Sequence, residues 1–361
     1  MPTKRVLLTG ASGFIGLHIL DQLLSFDVSV RAVVGSDIEK EALRKQFPRT
    51  PPTGLDFAIV PDEDLSVPRA YDDALSATQE PFDTVIHTVT VDSLDEADSL
   101  SHFVNQESDG KKDFLQSVQA VAPKVRRVIF TSVLTTFARW LATPDLNSNT
   151  RSPTSSIQSV AAKDPEYLLA TCRANDDLIN DRIWKYLADE KPGFDVVALS
   201  APSVYGPLVR PLTLLTDLEE GNQRIWSICS NIPIGTVGLW SDSVSYYVDV
   251  RDFAYAHVQA ALIPKAGNKR FVISAGMMPS HTVSDIMRNR FPELADRIVD
   301  RATPSSVSTT GNLSKDLVDS TPAAAVLGLL RYRSVDETVT DLGLQLVELE
   351  RRIRANEAGK G

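Results

Sequence analysis

The chain has little of what several functions would require. Only two cysteines, Cys172 and Cys229, occur in 361 residues, too few for a disulfide framework and in keeping with a reducing compartment. Basic residues are outnumbered, 37 Lys and Arg against 47 Asp and Glu, for a formal net charge of -10. With no basic run or patch, nucleic acids and anionic membrane surfaces are not expected partners. No apolar run approaches the ~20 residues of a spanning helix. The opening "MPTKRVLLTGASGFIG" lacks the apolar core and small-residue cleavage site of a signal peptide, so a cytoplasmic location is expected. The five histidines, His18, His87, His102, His257 and His281, show no metal-ligand spacing. Neither a nucleophile elbow nor a CxxC pair is present, so zinc and serine-hydrolase chemistry have no carriers.

What is present is alternation. Short β-branched runs, "RVLLTG", "VSVRAVV", "LDFAIV", "FDTVIHTVTV", "VRRVIFTS", "FDVVALSAP" and "KRFVIS", are separated by helical patterns near Phe14–Ser25, Ile38–Phe47, Asn105–Val121 and Cys172–Glu190. Parallel strands need crossover helices, so this order predicts an α/β fold with a doubly wound parallel sheet. Nearly unbroken apolar strands such as "DVVALSA" fit a sheet covered on both faces. Past residue 207 proline, tryptophan and glycine cluster and helical patterns take over. We read residues 1–207 as a Rossmann domain, to which a strand at 270–273 returns, and 208–361 as a smaller, mainly helical substrate lobe. The polar, proline-punctuated stretch 143–159 reads as a surface loop. Ser334 and Glu337 have capping-box spacing and announce the last helix.

"VLLTGASGFIG" places Gly10, Gly13 and Gly16 at G-x-x-G-x-x-G spacing, directly after the first strand and opening a helix. Glycine permits the tight turn there, and it lets backbone N–H groups approach a pyrophosphate at the helix N-terminus. The strand before and the helix after are the context such a motif needs.

From these residues a resemblance follows. "LLTGASGFIG", "VIHT", the helix carrying Asn105, "RRVIFTS", Trp184 with Tyr186, "P-x-VYGP" from Pro202, "SYYVDVRDFAYAHVQAAL" from Ser245 and "YRSVDETVTD" together span almost the whole chain. They resemble the extended short-chain dehydrogenase/reductase family, epimerase/dehydratase-like, in the branch of dihydroflavonol reductases and fungal carbonyl reductases. The resemblance implies a Rossmann fold and an NADP or NAD cofactor, with no metal. It implies that Gly10, Ser12, Gly13, Phe14, Ile15 and Gly16 line the pyrophosphate, that Asp62 faces the adenine, and that Pro202, Ser203 and Val204 face the nicotinamide.

Several positions depart from the family pattern. Where the branch ends its second strand with an arginine for the 2′-phosphate of NADP, this chain has Gly35. Ser36 and Lys40 are candidates to compensate, although lysine offers no bidentate fork and Asp37 beside them repels phosphate. The family's catalytic serine position falls on Val133. For the tyrosine helix two registers are open. One takes Tyr167 as the acid and puts Thr171 at the lysine position. The other, without a gap, puts Cys172 at the tyrosine position and Asp176 at the lysine position. Tyr167 and Cys172 are five residues apart, ~140° around a helix, so they do not both face one site. In either register the lysine is gone, and a lone tyrosine near pKa ~10 is a poor acid at neutral pH.

We favour the ungapped register, with Cys172 and Asp176 turned into the cleft. On that basis the expected enzyme works without net redox change, by isomerisation, cyclisation or elimination, on a hydrophobic, secondary-metabolite-like small molecule, and its dinucleotide is bound but not consumed. Phe137, Trp140, Trp226, Trp240 and Tyr246 are candidate pocket aromatics. Two alternatives stand beside it: an NAD(P)H-dependent carbonyl reductase using Tyr167, and a catalytically inactive protein that binds a dinucleotide or metabolite.

Overall fold

The computed structural model describes residues 4–62, 67–76, 80–89, 100–134, 165–229, 246–298 and 318–358. Seven strands form one parallel sheet in the order β3-β2-β1-β4-β5-β6-β9. They are β1 (Arg5–Thr9), β2 (Ser29–Val34), β3 (Leu55–Ile59), β4 (Thr84–His87), β5 (Arg127–Val133), β6 (Asp195–Ala201) and β9 (Lys269–Val272). The order reverses between β1 and β4, which is where a doubly wound sheet opens its binding crevice. Crossovers run through α1 (Phe14–Ser25), α2 (Asp37–Gln46), the short α3 (Asp72–Leu75), α4 (Leu100–Val121) and α5 (Pro165–Glu190).

The alternation of side chains along each strand separates two cores. On one face Val6, Leu8, Ile129, Val197 and Leu199 pack against α1 and against α7 (Val250–Leu262). On the other, Leu7, Val33, Val85, Val128 and Val196 pack against α4 and α5. Because both faces are covered, the strands can be apolar at successive positions. Charge is buried with them as well. The Arg127 guanidinium donates to both Asp195 carboxylate oxygens at 2.6 and 2.8 Å and to the carbonyls of Ala260, Ile263 and Pro264. It thereby ties β5 and β6 to the end of α7, with its hydrogen-bonding capacity met.

The lobe has its own core, in which Trp226, Met287, Phe291, Leu342 and Leu346 are buried. It is built from α6 (Glu220–Cys229), α8 (Ser280–Arg290), α9 (Pro292–Ala295) and α11 (Val335–Ala358), while α10 (Thr321–Leu327) packs back on the Rossmann core. The lobe is not helical alone. A second, three-stranded sheet, β10-β8-β7, joins β7 (Val204–Tyr205) to β8 (Tyr246–Asp249) in parallel and β8 to β10 (Gly276–Met277) antiparallel. These strands, two to four residues long, are too short to show a period. The capping box at the start of α11 is formed. Ser334 Oγ accepts from the Glu337 N–H, and the Glu337 carboxylate accepts from the Ser334 N–H.

Candidate active-site cleft

The glycine loop sits at the carboxyl end of β1 and opens α1. Gly10 has φ 64°, a left-handed conformation that side chains with a Cβ rarely adopt. Its carbonyl accepts from the Gly13 N–H at 3.1 Å. Gly16 lies so close that a Cβ there would be 2.0 Å from the Gly10 oxygen. The turn is held from the neighbouring strand by Thr88, whose Oγ1 donates to the Thr9 carbonyl at 2.8 Å, and by Thr9 Oγ1, 3.0 Å from His87 Nδ1.

A cleft of about 290 Å³ lies over this loop. Gly10, Gly13, Phe14, Ile15 and Gly16 form its floor. Thr88, Val133, Ser203 and Val204, from the ends of β4, β5 and β6 and from β7, form the next wall. The lobe closes it with Glu219, Gly221 and Arg224. Gly221 permits this approach, because a Cβ on it would stand 2.6 Å from the Val204 carbonyl. Nothing in the sequence pattern pointed to these three lobe residues. They are brought over the glycine loop only by the packing of α6 on β7.

The residues present fit a dinucleotide. Backbone N–H groups at a helix start face the cleft, as a pyrophosphate requires. Ser203 is 2% exposed and its Oγ has no hydrogen-bond partner among the described residues. A buried hydroxyl left unpaired costs on the order of 1–3 kcal/mol, so such an oxygen on a cleft wall marks a place where a ligand polar group belongs.

The substituted positions lie in two different places. Val133 lines the cleft and brings no hydroxyl to it. Cys172 and Asp176 were expected to face the cleft, but both are buried to 1% exposure and neither lines it. α5 lies over the sheet, and the face carrying these two is its inner face. There Asp176 Oδ2 accepts from Ser200 Oγ of β6 at 2.7 Å, while Oδ1 is buried with no partner among the described residues. Burial pushes the Cys172 thiol up to about 12, so it holds its proton at neutral pH. Tyr167 lies in the first turn of a continuous α5; its side chain, and residues 135–164 with Phe137 and Trp140, are outside the described residues. Trp240 is also outside them, and Trp226 packs in the lobe core rather than in the cleft.

At the end of β2, Ser36 caps α2, its hydroxyl accepting from the Glu39 N–H. Lys40 Nζ is paired with Asp37 at 2.6 Å. Asp62 is exposed, and its carboxylate comes to Gly35, where a Cβ would meet it at 2.9 Å. Among the described residues no group of His, Cys, Asp and Glu side chains could hold a metal ion, and no helix is long and apolar enough to cross a membrane.

The NAD dependent epimerase/dehydratase family model matches residues 6–276. The chain belongs to that family. Its relatives include a ketoreductase, azaE, of Aspergillus niger, 30% identical over 96% of this chain and 98% of that protein. The NADPH-dependent methylglyoxal reductase GRE2 of Saccharomyces cerevisiae is 26% identical over 96% and 99%. The crystal structure of the yeast methylglyoxal/isovaleraldehyde reductase Gre2 complexed with NADPH superposes with a TM-score of 0.70 at 24% identity, covering 96% of this chain and 99% of that one. Vestitone reductase from alfalfa does so with a TM-score of 0.60 at 20% identity, covering 95% and 98%. These relatives are reductases, which favours the carbonyl-reductase alternative over the expected non-redox chemistry.

Proposed function

We propose that the protein is a nicotinamide-dinucleotide-dependent carbonyl reductase that takes a small apolar aldehyde or ketone to an alcohol. The observation that carries this reading is the cleft itself, lined by the glycine loop and by Ser203, whose hydroxyl has no partner among the described residues. The reductase relatives that match nearly the whole chain support it. When bound, the cofactor supplies the hydride. The chain's residues do the rest. The N–H groups of the loop would hold the pyrophosphate, Ser203 would offer its hydroxyl to the nicotinamide end, and Val133 with Val204 would give the substrate carbonyl an apolar wall. Cys172 and Asp176 are buried against the sheet, which supports the other register, in which Tyr167 is the proton donor. Without the family's serine and lysine the rate is set by that one donor and by positioning.

A second reading keeps the scaffold but not the hydride. It rests on Asp176, whose buried Oδ1 has no partner among the described residues. One experiment separates the two: single turnover of a panel of aldehydes and ketones with nicotinamide cofactor deuterated at C4. Deuterium in the alcohol product, with a loss of ~10²-fold or more in Tyr167→Phe and little change in Asp176→Asn, is the expected outcome. Product formed without deuterium, and abolished by Asp176→Asn, would replace the reductase with the non-redox enzyme.

A further inference from the structure

Beside the glycine loop, just past the end of β2, the chain carries an acid where the family pattern carries a base. Gly35 directly follows β2, next to the glycine loop, whose Ala11 N–H is bonded to the Val33 carbonyl at 3.2 Å. The Gly35 N–H donates to Glu39 Oε2 at 2.7 Å, which fixes the Glu39 carboxylate over the end of the strand. A Cβ on Gly35 would sit 3.3 Å from that oxygen and 2.9 Å from Asp62 Oδ1, so two carboxylates from different elements converge on one glycine. Lys40, the next residue along α2, is half-buried and its Nζ is paired with Asp37.

From this juxtaposition we infer that the cofactor of this chain is NAD(H) rather than NADP(H), and that Glu39 is the residue that discriminates. The inference rests on the cofactor reading above and goes beyond it in naming the dinucleotide. A ribose 2′-hydroxyl is a donor, and a carboxylate accepts only, so the two are complementary. A 2′-phosphate brings ≈ −1.5 to −2 charges and acceptor oxygens alone. Opposite Glu39 and Asp62 it would meet like charge and find no donor in either. The fold class carries its ribose-binding acid ~20 residues past the glycine loop, and Glu39 stands in that region, although on the first turn of α2 rather than at the strand end. The Gly35 N–H does two things here. It holds the carboxylate in place, and by lacking a side chain at this position the residue leaves room for the ribose.

The test is isothermal calorimetry on the full chain with NAD⁺ and NADP⁺ at one ionic strength, followed by Glu39→Gln. Glutamine keeps an oxygen to accept from the Gly35 N–H and removes only the charge. NAD⁺ is expected to bind at least ~10-fold tighter than NADP⁺, and Glu39→Gln to narrow that ratio by raising NADP⁺ affinity. The pair Gly35→Arg with Glu39→Lys should reverse it. Equal or tighter NADP⁺ binding by the natural chain would overturn the selectivity and leave the dinucleotide reading standing. An unchanged ratio in Glu39→Gln would remove the role given to Glu39. Binding of neither dinucleotide would take the cofactor reading down, and this inference with it.

Discussion

Gly16→Ala is expected to lose dinucleotide binding by ~10²-fold or more and to destabilise the protein by ~3 kcal/mol. The added methyl would lie 2.0 Å from the Gly10 oxygen and 2.8 Å from the Gly10 carbonyl carbon, both backbone atoms. Neither atom can yield alone. The Gly10 carbonyl accepts from the Gly13 N–H, and Gly10 is itself held in a left-handed conformation against Thr88. Relief has to come from moving α1, yet Leu17, Ile19, Leu20 and Leu23 fix that helix in the Rossmann core. The displaced N–H groups then miss the pyrophosphate. Gly13→Ala is the comparison, since its methyl would stand 3.3 Å from the same oxygen, a contact that a shift of a few tenths of an ångström relieves. Calorimetric titration with the dinucleotide, together with urea unfolding of both variants, measures the two effects. Normal binding by Gly16→Ala would mean that the loop does not hold the cofactor.

Stability should fall steeply between pH 6.5 and 5, above the range where ordinary carboxylates titrate. Burial pushes His87 down to about 3, with the Lys111 charge adding to it, and His257 down to about 4. Both rings are held neutral by geometry. His257 Nδ1 donates to the Phe253 carbonyl at 2.7 Å, which leaves Nε2 to accept from Thr131 Oγ1 at 2.8 Å. His87 packs between Phe114 and Tyr71 with Nδ1 on Thr9. In the unfolded chain these histidines protonate near pH 6.5. Below that value the unfolded state binds more protons than the folded one, so stability declines as pH falls toward the folded-state values; above it they contribute no slope. By pH 5 each costs about 2 kcal/mol, a large part of the 5–15 kcal/mol typical of a domain. Urea midpoints at steps from pH 8 to 5 should be flat above 7 and drop below 6.5. His257→Gln should flatten that drop by about one proton, whatever it does to stability at pH 7. A midpoint constant down to pH 5 would show that both rings take up their protons in the folded state as readily as in the unfolded chain.

The seven strands of the main sheet, their parallel pairing and the first four long helices were legible in the sequence, because each is long enough to display its period and because apolar runs covered on both faces have few other solutions. The glycine loop was legible for the same reason: a strand, a turn that needs a left-handed glycine, and a helix are all local. The capping box at Ser334 and Glu337 is local as well. The short strands β7, β8 and β10 were not visible, since two to four residues carry no periodicity and their pairing is across the chain.

The chemistry of the site depended on direction, which spacing alone does not supply. Asp176 and Cys172 share a helix face by sequence, but only the packing of α5 on β5 and β6 decided that this face meets the sheet, where Ser200 satisfies one carboxylate oxygen, rather than the cleft. Arg224 and Glu219 became cleft residues because α6 rests on β7 through Gly221, a contact between segments with no shared pattern. Glu39, on the outward-reading first turn of α2, is drawn back over Gly35 by a single backbone N–H. The sequence by itself determined the scaffold and the glycine loop, because both rest on local conformational rules and on burial. The tertiary structure decided which side chains line the cleft, because that depends on how separate elements are turned against one another.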